Sequence, residues 1–231
     1  MKVPERGALP LGLAATLGRT YARLTETVQG LSDADFQRET RCAGMPVGPL
    51  LVHLLYDAQR ALIAFASPAV VEPDRDFVTY WHDFPPQPDG DTSFVRSVAA
   101  AYRRPGLLVQ HWREVSEAAV RAAAAGLATK GHRVETQGHV LRAGDFVATL
   151  VLEATVHHLD LIVGLPDAPE PDPEGLQVTA RTLDGLFGPD AWDVIAWDTT
   201  TYILKATGRL PLDEDDLAML GPHATRLPLL G

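Results

Sequence analysis

The chain has 231 residues, 46% of them hydrophobic, and a formal net charge of −10. This length suits one large domain or two small ones, and the acidic balance argues against a nucleic-acid-binding protein, which needs clustered Lys and Arg. The single cysteine, Cys42, excludes an internal disulfide and a cysteine-based structural zinc site, and in its loop-like stretch it reads as a plain small residue.

The predicted elements are almost all helical, which indicates an all-α protein. Apolar residues at helical spacing predict four long helical regions: 8–29, 49–66, 92–127 with a break or kink at Pro105-Gly106, and 145–163. A short helix is predicted to begin near Ser32, and residues 132–142 are predicted to be extended, as in a small hairpin. Proline-rich connections at 68–90 and after 163 lead on to further helices, predicted at 174–187, 190–207 and 213–220.

The stretch "LVLEATVHHLDL", residues 150–161, places polar side chains in an otherwise apolar helix. At about 100° per residue, Glu153, His157 and Asp160 share one stripe, whereas His158 points to another face. A helix that is apolar on most sides is buried, and a buried carboxylate is costly unless a metal or a salt bridge compensates it. For an isolated E-x-x-x-H pattern, a Glu–His pair is the simpler interpretation.

A second apolar helix offers a third ligand for a metal. His53 is flanked by leucines and Val52, with Asp57 one turn further on the same face. Taken alone, His53 is interpreted as a core histidine whose ring nitrogens are hydrogen-bonded within the protein. With Glu153 and His157 it completes a His2Glu set, which leaves a coordination position open for water or substrate, as in catalytic zinc sites. Inward-facing ligands of this kind recur in helix bundles.

Three blocks of sequence, in order, resemble the mycothiol-dependent maleylpyruvate isomerase family within the DinB-like superfamily. They are "MPVGPLLVHLLYDAQRAL" with His53, "GDFVATLVLEATVHHLDLIVGL" with Glu153, His157 and Asp160, and the tail "ATGRLPLDEDDLAMLGPHATRLPLLG". The resemblance implies a DinB-like four-helix bundle with additional C-terminal helices. It also implies that His53, Glu153 and His157 bind a divalent metal, usually zinc, which engages the thiol of a low-molecular-weight cofactor such as mycothiol. We therefore expect a metal-binding bundle at 1–165 and a C-terminal helical extension at 166–231.

The function expected from this resemblance is an enzyme that activates a small thiol against a small electrophilic substrate. The thiolate would attack an electrophilic carbon, giving isomerisation if the thiol is expelled again and S-transfer if it stays. A metal-dependent hydrolase using metal-bound water, and a non-enzymatic helical binding protein, are the alternatives.

The sequence gives weaker indications of a role for residues outside the three proposed metal ligands. Arg226, carried by an apolar tail that we expect to dock on the bundle, is predicted either to bind a carboxylate of substrate or cofactor or to pair with a nearby Asp or Glu. Arg209 could do the same, although a surface ion pair is the simpler interpretation. Asp160 is predicted either to orient a ligand or to be a solvated or helix-terminal carboxylate. No apolar run is long enough to span a membrane and no signal peptide is evident, so we expect a cytoplasmic monomer or homodimer without membrane or nucleic-acid partners.

Overall fold

The structure, a computed structural model, describes residues 9, 12–84, 92–165, 167–189 and 195–230. Over these residues the α-helices are α1 Leu13–Val28, α2 Val47–Ala66, α3 Ser93–Ala101, α4 Pro105–Ala128, α5 Ala143–Ile162, α6 Pro173–Phe187, α7 Thr199–Ala206 and α8 Glu214–Leu220. The strands β1 Arg133–Thr136 and β2 His139–Arg142 form one antiparallel hairpin. Short 3-10 turns occupy Asp35–Gln37, Thr79–Asp83 and Gly221–Arg226. The predicted all-α fold is confirmed.

Helices α1, α2, α4 and α5 form the four-helix bundle. Helix α1 packs against α4 and α5, and α2 packs against the same two helices. The apolar stripe predicted for α1 faces this core, since the following residues are buried: Leu13, Leu17, Tyr21, Leu24 and Val28. A stripe repeating every three to four residues produces this result because it covers one side of a helix.

Helix α5 is the central helix of the molecule. It contacts α1, α2, α4 and α6, and its residues are buried on nearly every side. The polar residues of α5 therefore lie in the interior, where each needs a hydrogen-bond or ionic partner. The predicted buried helix is confirmed.

The local breaks in the chain follow proline and glycine. Residues 102–104 separate α3 from α4, and Pro105 occupies the first turn of α4, where its missing N–H costs nothing. The hairpin turns at Gln137 and Gly138, whose φ angles of 48° and 82° are those of a tight two-residue turn. The Asp74 amide donates to the Val140 carbonyl, which holds the proline-rich connection against the hairpin.

The C-terminal helices pack on the bundle through α6, which contacts α5 and α1, and through α7, which contacts α6 and α5. The helix predicted from residue 190 begins later, at Thr199, because the Asp198 carboxylate accepts the amides of Thr200 and Thr201 as an N-cap. Residues 195–198 are not helical, and 190–194 lie outside the described residues. The division of the chain at 165/166 stays a prediction.

The C-terminal tail docks on the protein, as its leucines predicted. The Leu229 amide donates to the Ala206 carbonyl at 2.7 Å. Leu230 is buried, whereas Leu227 and Leu229 are half-buried and pack against the core. Within the described part of the chain, no helix combines the length and the apolar character needed to cross a membrane.

Candidate metal centre

Three predicted ligand side chains converge between α2 and α5. Glu153 Oε2 lies 3.2 Å from His157 Nε2 and 3.5 Å from His53 Nε2. One ligand atom from each of the three residues lies within 4.8 Å of the others. The imidazole rings of His53 and His157 meet edge to face, with centroids 4.8 Å apart. Helical spacing predicted that Glu153 and His157 share a face, and the structure places His53 of α2 beside them; metal binding itself stays a prediction.

Two buried atoms at this point have no hydrogen-bond partner among the described residues. They are His53 Nε2 and Asp57 Oδ2, which lie 3.5 Å apart, beyond a good hydrogen bond. Buried polar atoms are seldom left without a partner, so these two call for a group between or beside them. The His2Glu donor set is one that zinc uses in catalytic sites. The residues therefore fit a divalent metal held by His53, Glu153 and His157.

Asp160 holds the far side of the His157 ring. The ring donates from Nδ1 to Asp160 Oδ2 at 2.9 Å, which leaves Nε2 directed at Glu153. Asp160 also accepts Arg209, whose Nε lies 3.1 Å from Oδ1, and it is fully buried. A carboxylate behind a ligating histidine fixes the ring orientation and its tautomer. Of the two predicted roles for Asp160, the structure supports orientation of a ligand and excludes a solvated carboxylate.

The surface ion pair expected for Arg209 was wrong in its location. Its side chain is only 10% exposed, so its ion pair with Asp160 is an interior one. The guanidinium also donates to the Thr207 carbonyl. Arg209 follows α7 and Asp160 ends the α5 motif, so this pair links the C-terminal helices to the candidate metal centre.

The electrostatics of the cluster favour a charged pair. Burial opposes ionisation of Glu153, but contacts with His157 and His53 outweigh it and lower the Glu153 pKa. Burial also opposes protonation of His157, yet Asp160 and Glu153 together raise its pKa to about 9. Burial raises the pKa of Asp57. A metal at Nε2 of His157 must therefore displace a proton, which couples metal binding to pH.

His158 belongs to another environment, as its helical angle predicted. Its Nε2 lies 2.8 Å from Thr27 Oγ1 on α1, and the side chain is fully buried. Burial lowers the His158 pKa to about 4, so the ring is neutral near pH 7. His158 joins none of the ligand clusters found in the described residues.

A cavity of about 820 Å³ opens beside the three converging residues. The connection at 79–84 contributes an aromatic wall of Tyr80, Trp81 and Phe84, and the tail contributes Pro228 and Leu230. The proline-rich connection therefore lines the site rather than merely joining two helices. The volume lies in the range of small-molecule binding sites.

Several cavity residues escaped the sequence interpretation. Cys42 had read as a plain small residue, yet it lines the cavity, and its thiol, His157 and Asp160 offer ligand atoms within 4.8 Å of one another. Burial and the nearby Asp160 raise the Cys42 pKa to about 11.

Arg60 lines the cavity and donates to Asp57 at 2.6 Å. In the sequence, only its i, i+7 spacing from His53 indicated that the two side chains share a face of the helix. Arg41, in the loop before α2, had no signal.

Arg226 is not brought to the cavity lining. Its guanidinium carbon lies 5.0 Å from the centroid of the Phe187 ring, at the end of α6. Docking of the tail therefore delivers Pro228 and Leu230 to the cavity, whereas Arg226 stacks outside it. The catalytic role of Arg226 stays a prediction.

Comparison with known proteins decides the family. The sequence profile described as the mycothiol maleylpyruvate isomerase N-terminal domain matches residues 17–162, more than half of the chain. The chain belongs to this family. The matched segment contains α2, α4, α5, most of α1 and all three converging residues, while Arg209 and Arg226 lie beyond it.

A solved structure supports the same fold for this family member. The crystal structure of the mycothiol-dependent maleylpyruvate isomerase superposes with a TM-score of 0.51 at 16% identity, covering 80% of this chain and 72% of that chain. At this identity the likeness establishes the fold. No curated protein shows significant sequence similarity to the chain.

Proposed function

We propose that this protein is a divalent-metal-dependent enzyme that activates a low-molecular-weight thiol, such as mycothiol, for isomerisation or S-transfer on a small electrophilic substrate. One observation carries the proposal. The Nε2 atom of His53 is buried without a hydrogen-bond partner among the described residues and lies beside Glu153 and His157 at the edge of a cavity of about 820 Å³.

The family supports the thiol and the isomerisation. The matching profile names mycothiol and maleylpyruvate isomerase, and the superposed crystal structure is that of a mycothiol-dependent maleylpyruvate isomerase. The donor set supports zinc, because two imidazoles and one carboxylate leave a coordination position open for a ligand. Soft thiols are good ligands for zinc in that position.

A divalent metal at this site would lower the pKa of a coordinating thiol and keep it as a thiolate, the nucleophilic form. The residues of the chain supply orientation. Asp160 fixes the ring of His157, and the Arg209 guanidinium holds Asp160 in turn. Trp81 and Phe84 give the cavity an apolar aromatic wall, against which a small organic substrate can pack.

Metal analysis followed by an activity panel tests the proposal. Purified protein should contain about one zinc per chain, and turnover of electrophiles should require an added thiol. His53→Ala should lose both properties, while His82→Ala, a change of an exposed histidine outside the cavity lining, should keep them. Equal turnover without thiol would instead support the metal-dependent hydrolase, and protein unable to bind a divalent metal would refute both enzymes.

A further inference from the structure

The cavity brings three arginines together in an acidic protein. The chain carries a formal net charge of −10, yet the cavity is lined by three arginines, Arg41, Arg60 and Arg209, against two carboxylates, Asp57 and Glu153. Asp160, the partner of Arg209, brings the carboxylates to three, so a divalent metal on the predicted ligands would make the site positively charged. Positive charge focused in a cavity of an acidic protein favours an anionic ligand.

Two of the three arginines are already neutralised by protein carboxylates. Arg60 pairs with Asp57 at 2.6 Å, and Arg209 pairs with Asp160 at 3.1 Å. Arg41 forms no ion pair with any carboxylate in the described ranges. Its guanidinium donates from Nη1 to the Leu159 carbonyl, so Nε and Nη2 remain available to a ligand. Arg41 is thus the cavity arginine whose charge lacks a carboxylate partner within the described structure.

The position of Arg41 is fixed by the helix that carries two of the metal ligands. The Arg41 amide donates to the Asp160 carbonyl at 3.2 Å, and the guanidinium contacts the carbonyl of Leu159, two residues after His157. Both contacts lie in the last turn of α5, next to the converging side chains. A guanidinium held in place by the backbone loses little entropy on binding, and its free edge matches a carboxylate.

We propose that Arg41 binds a carboxylate of the electrophilic substrate and thereby selects carboxylate-bearing electrophiles for the metal centre. The assignment rests on the proposed function for the identity of the ligand, since it places the electrophile in this cavity. Arg41 would then determine substrate specificity, and the bound carboxylate would lie beside the last turn of α5.

Direct binding of a simple dicarboxylate tests this assignment without thiol or turnover. Calorimetry on the full-length, zinc-loaded protein would measure the affinity for maleate and for its uncharged dimethyl ester. Arg41→Gln should weaken maleate binding by about tenfold to a hundredfold, the effect of losing charge-assisted hydrogen bonds, and leave ester binding unchanged. Arg41→Lys should lose less, because it keeps the charge but not the planar fork.

Arg38 provides a matched control. It lies in the same segment before α2, and its Nη1 donates to the Gly164 carbonyl just after α5, but it does not line the cavity. Arg38→Gln should therefore remove a comparable carbonyl contact and keep maleate affinity. Zinc content and melting temperature, measured for every variant, show whether each protein is folded and loaded.

Maleate affinity within twofold of the wild type in folded Arg41→Gln, or no maleate binding by the wild type at millimolar concentration, would overturn the assignment. If Arg41→Gln does not fold, unchanged maleate affinity in Arg41→Lys overturns it equally. Absence of thiol-dependent turnover in the wild type would refute the proposed function instead, and it would leave the maleate result standing.

Discussion

Asp160 and Arg209 form a buried ion pair that connects the C-terminal helices to the candidate metal centre. Arg209 Nε lies 3.1 Å from Asp160 Oδ1, with side chains 10% and 0% exposed. The same carboxylate accepts the Nδ1–H of His157. Because one carboxylate serves both partners, the orientation of His157, a proposed metal ligand on α5, depends on a residue 49 positions later in the chain.

Removing the arginine from this pair should weaken metal binding. We expect Arg209→Gln to lower zinc affinity by about 10-fold to 100-fold, the usual effect of losing the support behind a ligating histidine. The buried charge left on Asp160 should also lower stability. Competition with a chelator, at a temperature where the variant is folded, measures the affinity. Arg121→Gln, at an exposed pair on α4, is the control, and equal zinc affinity in the two variants would contradict the prediction.

Substituting a converging histidine and substituting the neighbouring His158 should have different effects on zinc binding. We expect His53→Ala and His157→Ala to lose stoichiometric zinc, because two remaining protein ligands rarely hold a divalent ion tightly. His158→Ala should keep it, since that ring contacts Thr27 instead. Metal analysis after dialysis gives the readout. Full zinc occupancy in His53→Ala would show that the ligand assignment is wrong.

The buried His158 should make stability depend on pH. Its folded pKa is about 4, below the ordinary value of 6.5, so the native state favours the neutral ring. The stabilising contribution is present above about pH 6.5 and is lost as pH falls towards 4, by about 3 kcal/mol at most. Urea unfolding across this range should show a steeper loss of stability for the wild type than for His158→Gln. Parallel curves for the two proteins would rule out this linkage.

Two substitutions of Arg226 test whether this residue takes part in the reaction. Its position over the Phe187 ring, outside the cavity lining, leads us to expect a lower melting temperature in Arg226→Ala with turnover retained. The catalytic role suggested by the sequence predicts the opposite result, a large loss of turnover in both Arg226→Ala and Arg226→Lys with metal and stability intact. Kinetics and thermal unfolding of the two variants decide between these outcomes.

The helices and the shared face of the polar residues on α5 could be predicted from sequence alone. The α1 stripe from Leu13 to Val28 faces the core, and Glu153, His157 and Asp160 share a stripe from which His158 is excluded. The reason is that helical periodicity is a local property: about 3.6 residues per turn fixes which side chains share a face.

The partners of those side chains were decided only by the tertiary structure. Asp160 meets Arg209 across 49 residues and Leu159 meets Arg41 across 118, and no local pattern records contacts at such separations. The direction of the tail was equally undetermined, because its leucines predicted docking but not that Pro228 would face the cavity while Arg226 stacked on Phe187. Periodicity specifies a buried face, whereas the packing of distant segments selects which charges meet there.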